Sequence, residues 1–171
     1  MLRGINVGGQ RKVRMDDLKY LYESLQFENV QTYIQSGNVI FESNLGDIPI
    51  LTATIEKGIE TGFGFQVPVT IRSRRDMLRV IRGNPFEAKG DQSKLHVTFL
   101  KTNPSAHLVS SVDEHGSQGE ELRLVKREIY LYCPNGYGRS KLSNNFLEKK
   151  LDVTATTRNW KTVLALCQLS K

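Results

Sequence analysis

Two stretches of the chain combine glycines with basic and hydroxyl residues. Residues 4–12 contain Gly8, Gly9, Gln10, Arg11 and Lys12, and residues 134–141 read Pro-Asn-Gly-Tyr-Gly-Arg-Ser-Lys. At a helix start such stretches offer an anion open backbone N–H groups, a favourable dipole and movable cations. Neither is a nucleoside-triphosphate P-loop. Arg139 stands at that motif's lysine position and Cys133 at its first glycine, while Gln10 takes the lysine position in the other stretch. A tight strand-to-helix turn is the plainer account of each loop taken alone.

His96-Val97-Thr98 suggests acid–base chemistry. A strand-borne His-x-Thr repeated in two related lobes supplies the general base and general acid of the 2H phosphoesterases. The second copy is missing here: His107 falls in a helix-like segment, and His115-Gly116-Ser117 matches only formally, within a loop. A single strand histidine is normally structural. Tyr130 and Tyr132 alternate with Ile129 and Leu131, so they share a strand face, and burial beneath another element is preferred to a base-stacking role. Arg72, Arg74, Arg75, Arg79 and Arg82 surround a single acid, Asp76, in the densest basic run of the chain, read first as a solvated helix face.

The elements that must position these residues follow from periodicity. Residues 2–7 alternate apolar and polar as a short strand does, and Met15, Leu18, Tyr22 and Leu25 have helical spacing. Tyr33-Ile34-Gln35-Ser36-Gly37-Asn38-Val39 predicts a hairpin around a two-residue Gly-Asn turn. A helix opened by Asp47 and Pro49 and a strand over residues 67–71 complete the order β-α-β-β-α-β. A connector helix over 73–82 ends at Gly83-Asn84-Pro85. The order then repeats: strand 94–100, helix 104–114, hairpin 121–126 with 128–133, helix 140–151 and strand 153–156, before a C-terminal helix over 161–169. The repeat predicts an α+β fold of duplicated ferredoxin-like units at 1–72 and 94–157, joined by a connector at 73–93 and followed by a terminal helix within 158–171. The plait is expected to bring the loops after its first and third strands to one end of each sheet.

The 171 residues carry 24 basic and 18 acidic side chains, a net charge of +6 that raises encounter rates with polyanions. No run reaches the roughly 18 apolar residues of a membrane span, and the first residues lack a signal-peptide core, so a cytoplasmic protein with no membrane partner is expected. The two cysteines, Cys133 and Cys167, lack disulfide or metal-ligand spacing, and no metal or cofactor is implied.

Leu2-Arg3-Gly4-Ile5-Asn6-Val7-Gly8-Gly9, the hairpin Tyr33–Val39, Asn84-Pro85-Phe86, Gly138-Arg139-Ser140-Lys141-Leu142 and Thr156-Thr157-Arg158-Asn159-Trp160 together resemble the bacterial family called domain of unknown function 1697. The resemblance runs nearly end to end. It implies a two-part α+β fold and no activity. Members of that family carry several more apolar residues ahead of the first motif, so a short first strand or a truncated start is expected here.

The residues leave three functions open. The leading one is a binding protein for a phosphate-bearing small molecule or nucleic acid, with contacts from Arg3, Asn6, Arg11, Lys12, Gln35, Ser36, Asn38, Arg139, Ser140, Lys141, Arg158 and Asn159. The second is a phosphoesterase-like hydrolase using His96. The third is a structural or protein-interaction module in which the same residues serve turns and internal contacts.

Overall fold

The predicted hairpin forms from β1 (Glu28–Tyr33) and β2 (Asn38–Glu42), antiparallel, with Tyr33 opposite Asn38. Its turn is longer than the expected Gly-Asn step. Asn38 already belongs to β2, and Ile34-Gln35-Ser36-Gly37 make the connection, reversing the chain through positive φ at Ile34 (50°) and Gly37 (72°). In this computed structural model, residues 1–113 and 119–170 are described, apart from the side chains of residues 110–113. His115, Gly116 and Ser117 lie outside the described residues. The chain divides into two compact units, Met1–Ile71 with the chain end from Leu169, and Arg72–Gln168.

In the first unit, α1 (Met15–Ser24) buries Leu18 and Tyr22, and α2 (Ile48–Phe63) buries Leu51, Ile55 and Ile59. Tyr22, Phe27 and Phe41 form an aromatic cluster beside them, with Phe27 stacked on Phe41 at 4.6 Å. Asp47 caps α2 by accepting from the Ile50 amide at 3.0 Å. The expected strands over residues 2–7 and 67–71 reduce to one bridge between Leu2 and Val69. Arg3 donates to Pro68 O and Thr70 to Met1 O, both at 2.9 Å. Positive φ at Gly4, Asn6, Gly8, Gly9 and Arg11 explains the difference: beyond Arg3 the backbone coils through left-handed residues and cannot extend a ladder.

The second unit builds a four-stranded sheet in the order β4-β5-β3-β6 from β3 (Leu95–Leu100), β4 (Glu121–Val125), β5 (Glu128–Tyr132) and β6 (Ala155–Asn159). Every pairing is antiparallel, including that of β3 with β5, so the loops after these strands leave opposite ends of the sheet, contrary to expectation. The fold is mixed α and β with two small antiparallel sheets, of two strands and of four. Equal sheets from two copies are not what it displays. One face of the larger sheet packs Leu100, Leu122, Ile129, Leu131 and Ala155 against Leu147 and Leu151 of α5 (Asn144–Leu151). α4 (Ala106–Asp113) lies between β3 and β4 in sequence, and α6 (Trp160–Leu169) follows β6 directly. On the opposite face Tyr130 donates its hydroxyl to the Val80 carbonyl of α3 (Arg74–Arg82) at 2.9 Å, burying this tyrosine beneath the connector helix as the alternation suggested.

Arg72 does not belong to the solvated basic face. Its side chain is 1% exposed, as against 3% for Glu128, and its Nε donates to Glu128 Oε1 at 2.7 Å. The same guanidinium donates to Leu100 O at 2.7 Å and Arg127 O at 3.2 Å, and it lies over the Phe99 ring. With the fork so fully used, the pair is a structural unit. Removing one partner strands a buried charge, whereas replacing both by apolar groups does not.

Two stability predictions follow from these contacts. Glu128→Ala should destabilise by about 3–5 kcal/mol in urea unfolding, with the double replacement Arg72→Met, Glu128→Leu recovering most of the loss. Gly37→Ala should cost at least about 1–2 kcal/mol from the left-handed backbone alone. It should also force Leu2 and Ile5 aside, because an added Cβ would lie 2.8 Å from Leu2 Cβ and 2.9 Å from Ile5 Cδ1.

Candidate functional site

The coil that replaces the first strand is held by one side chain. Asn6 donates through Nδ2 to Val13 O at 2.9 Å and to Gln35 O at 3.0 Å, and its Oδ1 accepts from the Val13 amide at 2.8 Å. Its own amide donates to Arg11 O at 3.2 Å. Every polar position of the side chain is used, so Asn6 clamps residues 6–13 into a closed loop and ties that loop to the hairpin turn. Arg11, Lys12 and Arg14 project from the clamped loop, exposed and without an ion pair among the described residues.

Against this loop lies a cleft of about 480 Å³, lined by Asn6, Lys12, Val13, Arg14, Met15, Asp16, Asp17, Gln35 and Phe63. Small-molecule pockets span roughly 300–1,000 Å³, so the space suits a ligand of moderate size. Its wall includes the start of α1, where Arg14 occupies the N-cap position and makes no side-chain cap. Asp47, Ser73, Ser143 and Asn159 do cap their helices, accepting from Ile50, Asp76, Phe146 and Thr162. The cleft therefore combines two cations that are unpaired among the described residues, two first-turn carboxylates, Gln35, and the apolar residues Met15 and Phe63.

The remaining hairpin residues serve the turn. Asn38 is fully buried and donates to Tyr33 O at 3.2 Å and Ser36 Oγ at 2.9 Å, locking the connection closed. Arg3 is half-buried, beside its backbone contact with Pro68.

In the second unit the 134–141 loop forms a 3-10 turn at Tyr137–Arg139, leaving Arg139 and Lys141 exposed. The helix that follows starts only at Asn144, because Ser140 turns its hydroxyl to the Leu142 amide and Ser143 supplies the cap. Arg158 is 8% exposed and donates to Thr156 Oγ1 at 2.8 Å and Thr157 O at 2.9 Å. Asn159 caps α6 through Thr162 at 2.8 Å. Both take part in holding β6 and α6.

His96 sits near a polar chain on the helix-facing side of the sheet. Thr157 Oγ1 donates to Asn144 Oδ1 at 2.6 Å, so its single proton is spoken for. Thr98 at 2.7 Å and Tyr137 at 3.1 Å must therefore donate to it. The His96 ring stacks on Tyr137 at 4.9 Å, and its Nδ1 makes only a long 3.4 Å contact with Lys94 O. Among the described residues no second acid or base hydrogen-bonds this imidazole, and none form a group of three metal-ligating side chains. Burial lowers its pKa, outweighing the opposing pull of the Lys94 carbonyl.

The model of a protein family described as a protein of unknown function, DUF1697, matches residues 1–130. The chain belongs to this family. Three of the five motifs fall inside the matched residues, including both segments that Asn6 joins. The motifs at 138–142 and 156–160 lie beyond them. A solved structure described as that of a conserved bacterial protein from Streptococcus pneumoniae is similar over 100% of this chain and 96% of its own, with TM-score 0.79 and 24% identity, a likeness of fold. No curated protein matches the chain.

Of the residues singled out in this DUF1697 sequence, Asn6, Lys12 and Gln35 line one cleft, whereas Arg139, Ser140, Lys141, Arg158 and Asn159 belong to the other unit. Sequence reasoning missed Arg14, Phe63 and the role of Asp16 and Asp17 as cleft walls. One signal was present: Arg11-Lys12-Val13-Arg14 runs into a helix with no Ser, Thr, Asp or Asn at its N-cap. No local signal marks the Thr98–Thr157–Tyr137–Asn144 chain, which joins four distant segments.

The His96 environment sets a pH signature. Its folded pKa lies below the ordinary value of about 6.5, so as pH falls the unfolded chain takes the proton first. This contribution to stability is intact above the unfolded pKa and is lost as pH drops from there toward the lower folded pKa. Histidine NMR titration should give His96 a midpoint below the ordinary value, and His96→Phe should flatten that part of the stability profile.

Proposed function

We propose that the protein binds a phosphate ester of nucleotide-like chemistry in the cleft of its first unit. The observation that carries this is the placement of Lys12 and Arg14, neither with a carboxylate partner among the described residues, on a wall shared with Asp16, Asp17 and Phe63. Lys12 and Arg14 would take the phosphate, Arg14 as a fork donor. Asp16 and Asp17 would accept from sugar hydroxyls, a task for which carboxylates are suited. Phe63 and Met15 would offer apolar area to a base, and the Gln35 side chain would read a polar edge. The clamp through Asn6 supports the reading, because a site loop fixed before binding loses less entropy when the ligand arrives.

The hydrolase reading finds no second acid or base beside His96 among the described residues, so a binding role is preferred. The finer reading of the fold is also ours: the first unit is a pared-down copy of the second. Leu2 pairs antiparallel with Val69 and donates to Gly37 O at 2.8 Å, the neighbours that β3 has in β6 and β5. The order of helices and hairpin is likewise the same in both units.

Calorimetric titration with adenosine monophosphate, adenosine and inorganic phosphate tests the cleft. The monophosphate should bind best, and Lys12→Gln or Arg14→Gln should weaken it about tenfold or more, as loss of a charged hydrogen bond worth about 1.5–3 kcal/mol requires. Asp17→Asn should weaken binding of the nucleotide and strengthen that of inorganic phosphate, which meets this carboxylate only as a repelling charge. Absence of binding at millimolar nucleotide in low salt would overturn the proposal.

A further inference from the structure

α3 places four arginines, Arg74, Arg75, Arg79 and Arg82, in nine residues. The core claims the opposite side of the helix, where Met77 is 3% and Val80 1% exposed. At 3.6 residues per turn, Arg75, Arg79 and Arg82 stand at i, i+4 and i+7 on one outer face, with Arg74 on its flank. The helix's single acid is already engaged. Asp76 accepts from the Ser73 amide and hydroxyl at 3.1 and 2.9 Å, closing a capping box, and binds Arg79 at 2.8 Å. Arg74, Arg75 and Arg82 are exposed and have no acid of their own among the described residues.

We infer that this face of α3 binds the phosphodiester backbone of a nucleic acid, at a site separate from the cleft. Arginine rather than lysine at all four positions suits bidentate contact with phosphate oxygens. Seven residues of helix rise about 10.5 Å from Arg75 to Arg82, the axial span of roughly three phosphates of one strand at about 3.4 Å each. The capping box and the buried Met77 and Val80 fix the helix backbone, so binding has only the exposed arginine side chains left to order. A membrane surface fits less well. An amphipathic helix that binds lipid inserts its apolar side, and here that side is already in the core beside Tyr130.

Fluorescence anisotropy with a labelled 20-base-pair duplex, read across salt concentrations, tests the inference. Three contacts predict a log affinity against log salt slope near −2.7, an affinity loss of about 40-fold between 50 and 200 mM salt. Each of Arg74→Gln, Arg75→Gln and Arg82→Gln should reduce the slope by about 1. Replacement of the same three by Lys should keep the slope, which separates lost charge from lost structure. Circular dichroism and the unfolding midpoint of each variant should match the parent. Lys12→Gln should leave duplex binding intact, and the α3 variants should leave mononucleotide binding intact, so either site can fail alone. An unchanged slope in the triple Gln variant would overturn the inference. So would binding to phosphatidylserine vesicles without binding to the duplex.

Discussion

The first unit depends on a close approach between the chain start and the hairpin turn. Gly37 lies so near Leu2 and Ile5 that no side chain fits between them, and its φ of 72° is one that other residues adopt at a penalty. This contact places residues 2–5 against the turn, which lets Asn6 reach Gln35 O and Val13 together. The cleft exists because of that reach. Lys12 and Arg14 then project from a backbone fixed at both ends, rather than from a loose loop.

Solvation separates the basic residues into two kinds. Arg72 and Arg158 are withdrawn from water and matched to acceptors inside the second unit, so each is tied to packing. Arg74, Arg75, Arg82, Lys12 and Arg14 remain exposed without acids of their own among the described residues. An exposed ion pair contributes at most about 1 kcal/mol, so leaving such cations unpaired sacrifices little stability. It does leave a local positive field, which falls off over a Debye length of about 8 Å at physiological salt. Positive charge concentrated on rigid elements is thus cheap for the fold and available for recognition.

Periodicity made the helices legible, because their buried side chains recur at 3.6 residues. Runs of β-prone residues marked the hairpin and the strands of the second sheet, but they did not reveal the antiparallel pairing of β3 with β5. The first strand was misread for a physical reason. Leu2, Ile5 and Val7 resemble a strand's spacing, yet the glycines and Asn6 between them adopt left-handed backbone, which alternation cannot reveal. Register was hidden for the same kind of reason: Asn38 reads as a turn residue, but its buried amide makes it the first rung of β2. At the site, Asn6, Lys12 and Gln35 stood out by type. Phe63 could not, since only the packing of α2 brings it beside residues nearly fifty positions earlier. Arg72 and Arg74 are near neighbours in the same basic run, and burial alone assigns them opposite roles.

The cleft's mixed charge narrows what it can hold. Asp16 and Asp17 sit in the first turn of α1, where they already offset the positive end of the helix dipole. A free inorganic dianion would meet that negative charge with nothing to offer it, and the attraction of Lys12 and Arg14 would be partly cancelled. A phosphate ester escapes this opposition when its other end carries hydroxyl or amino donors, because the same two carboxylates then accept hydrogen bonds. Specificity would come from pairing attraction at one wall with rejection of simple anions at the other, a division that a uniformly basic pocket cannot make.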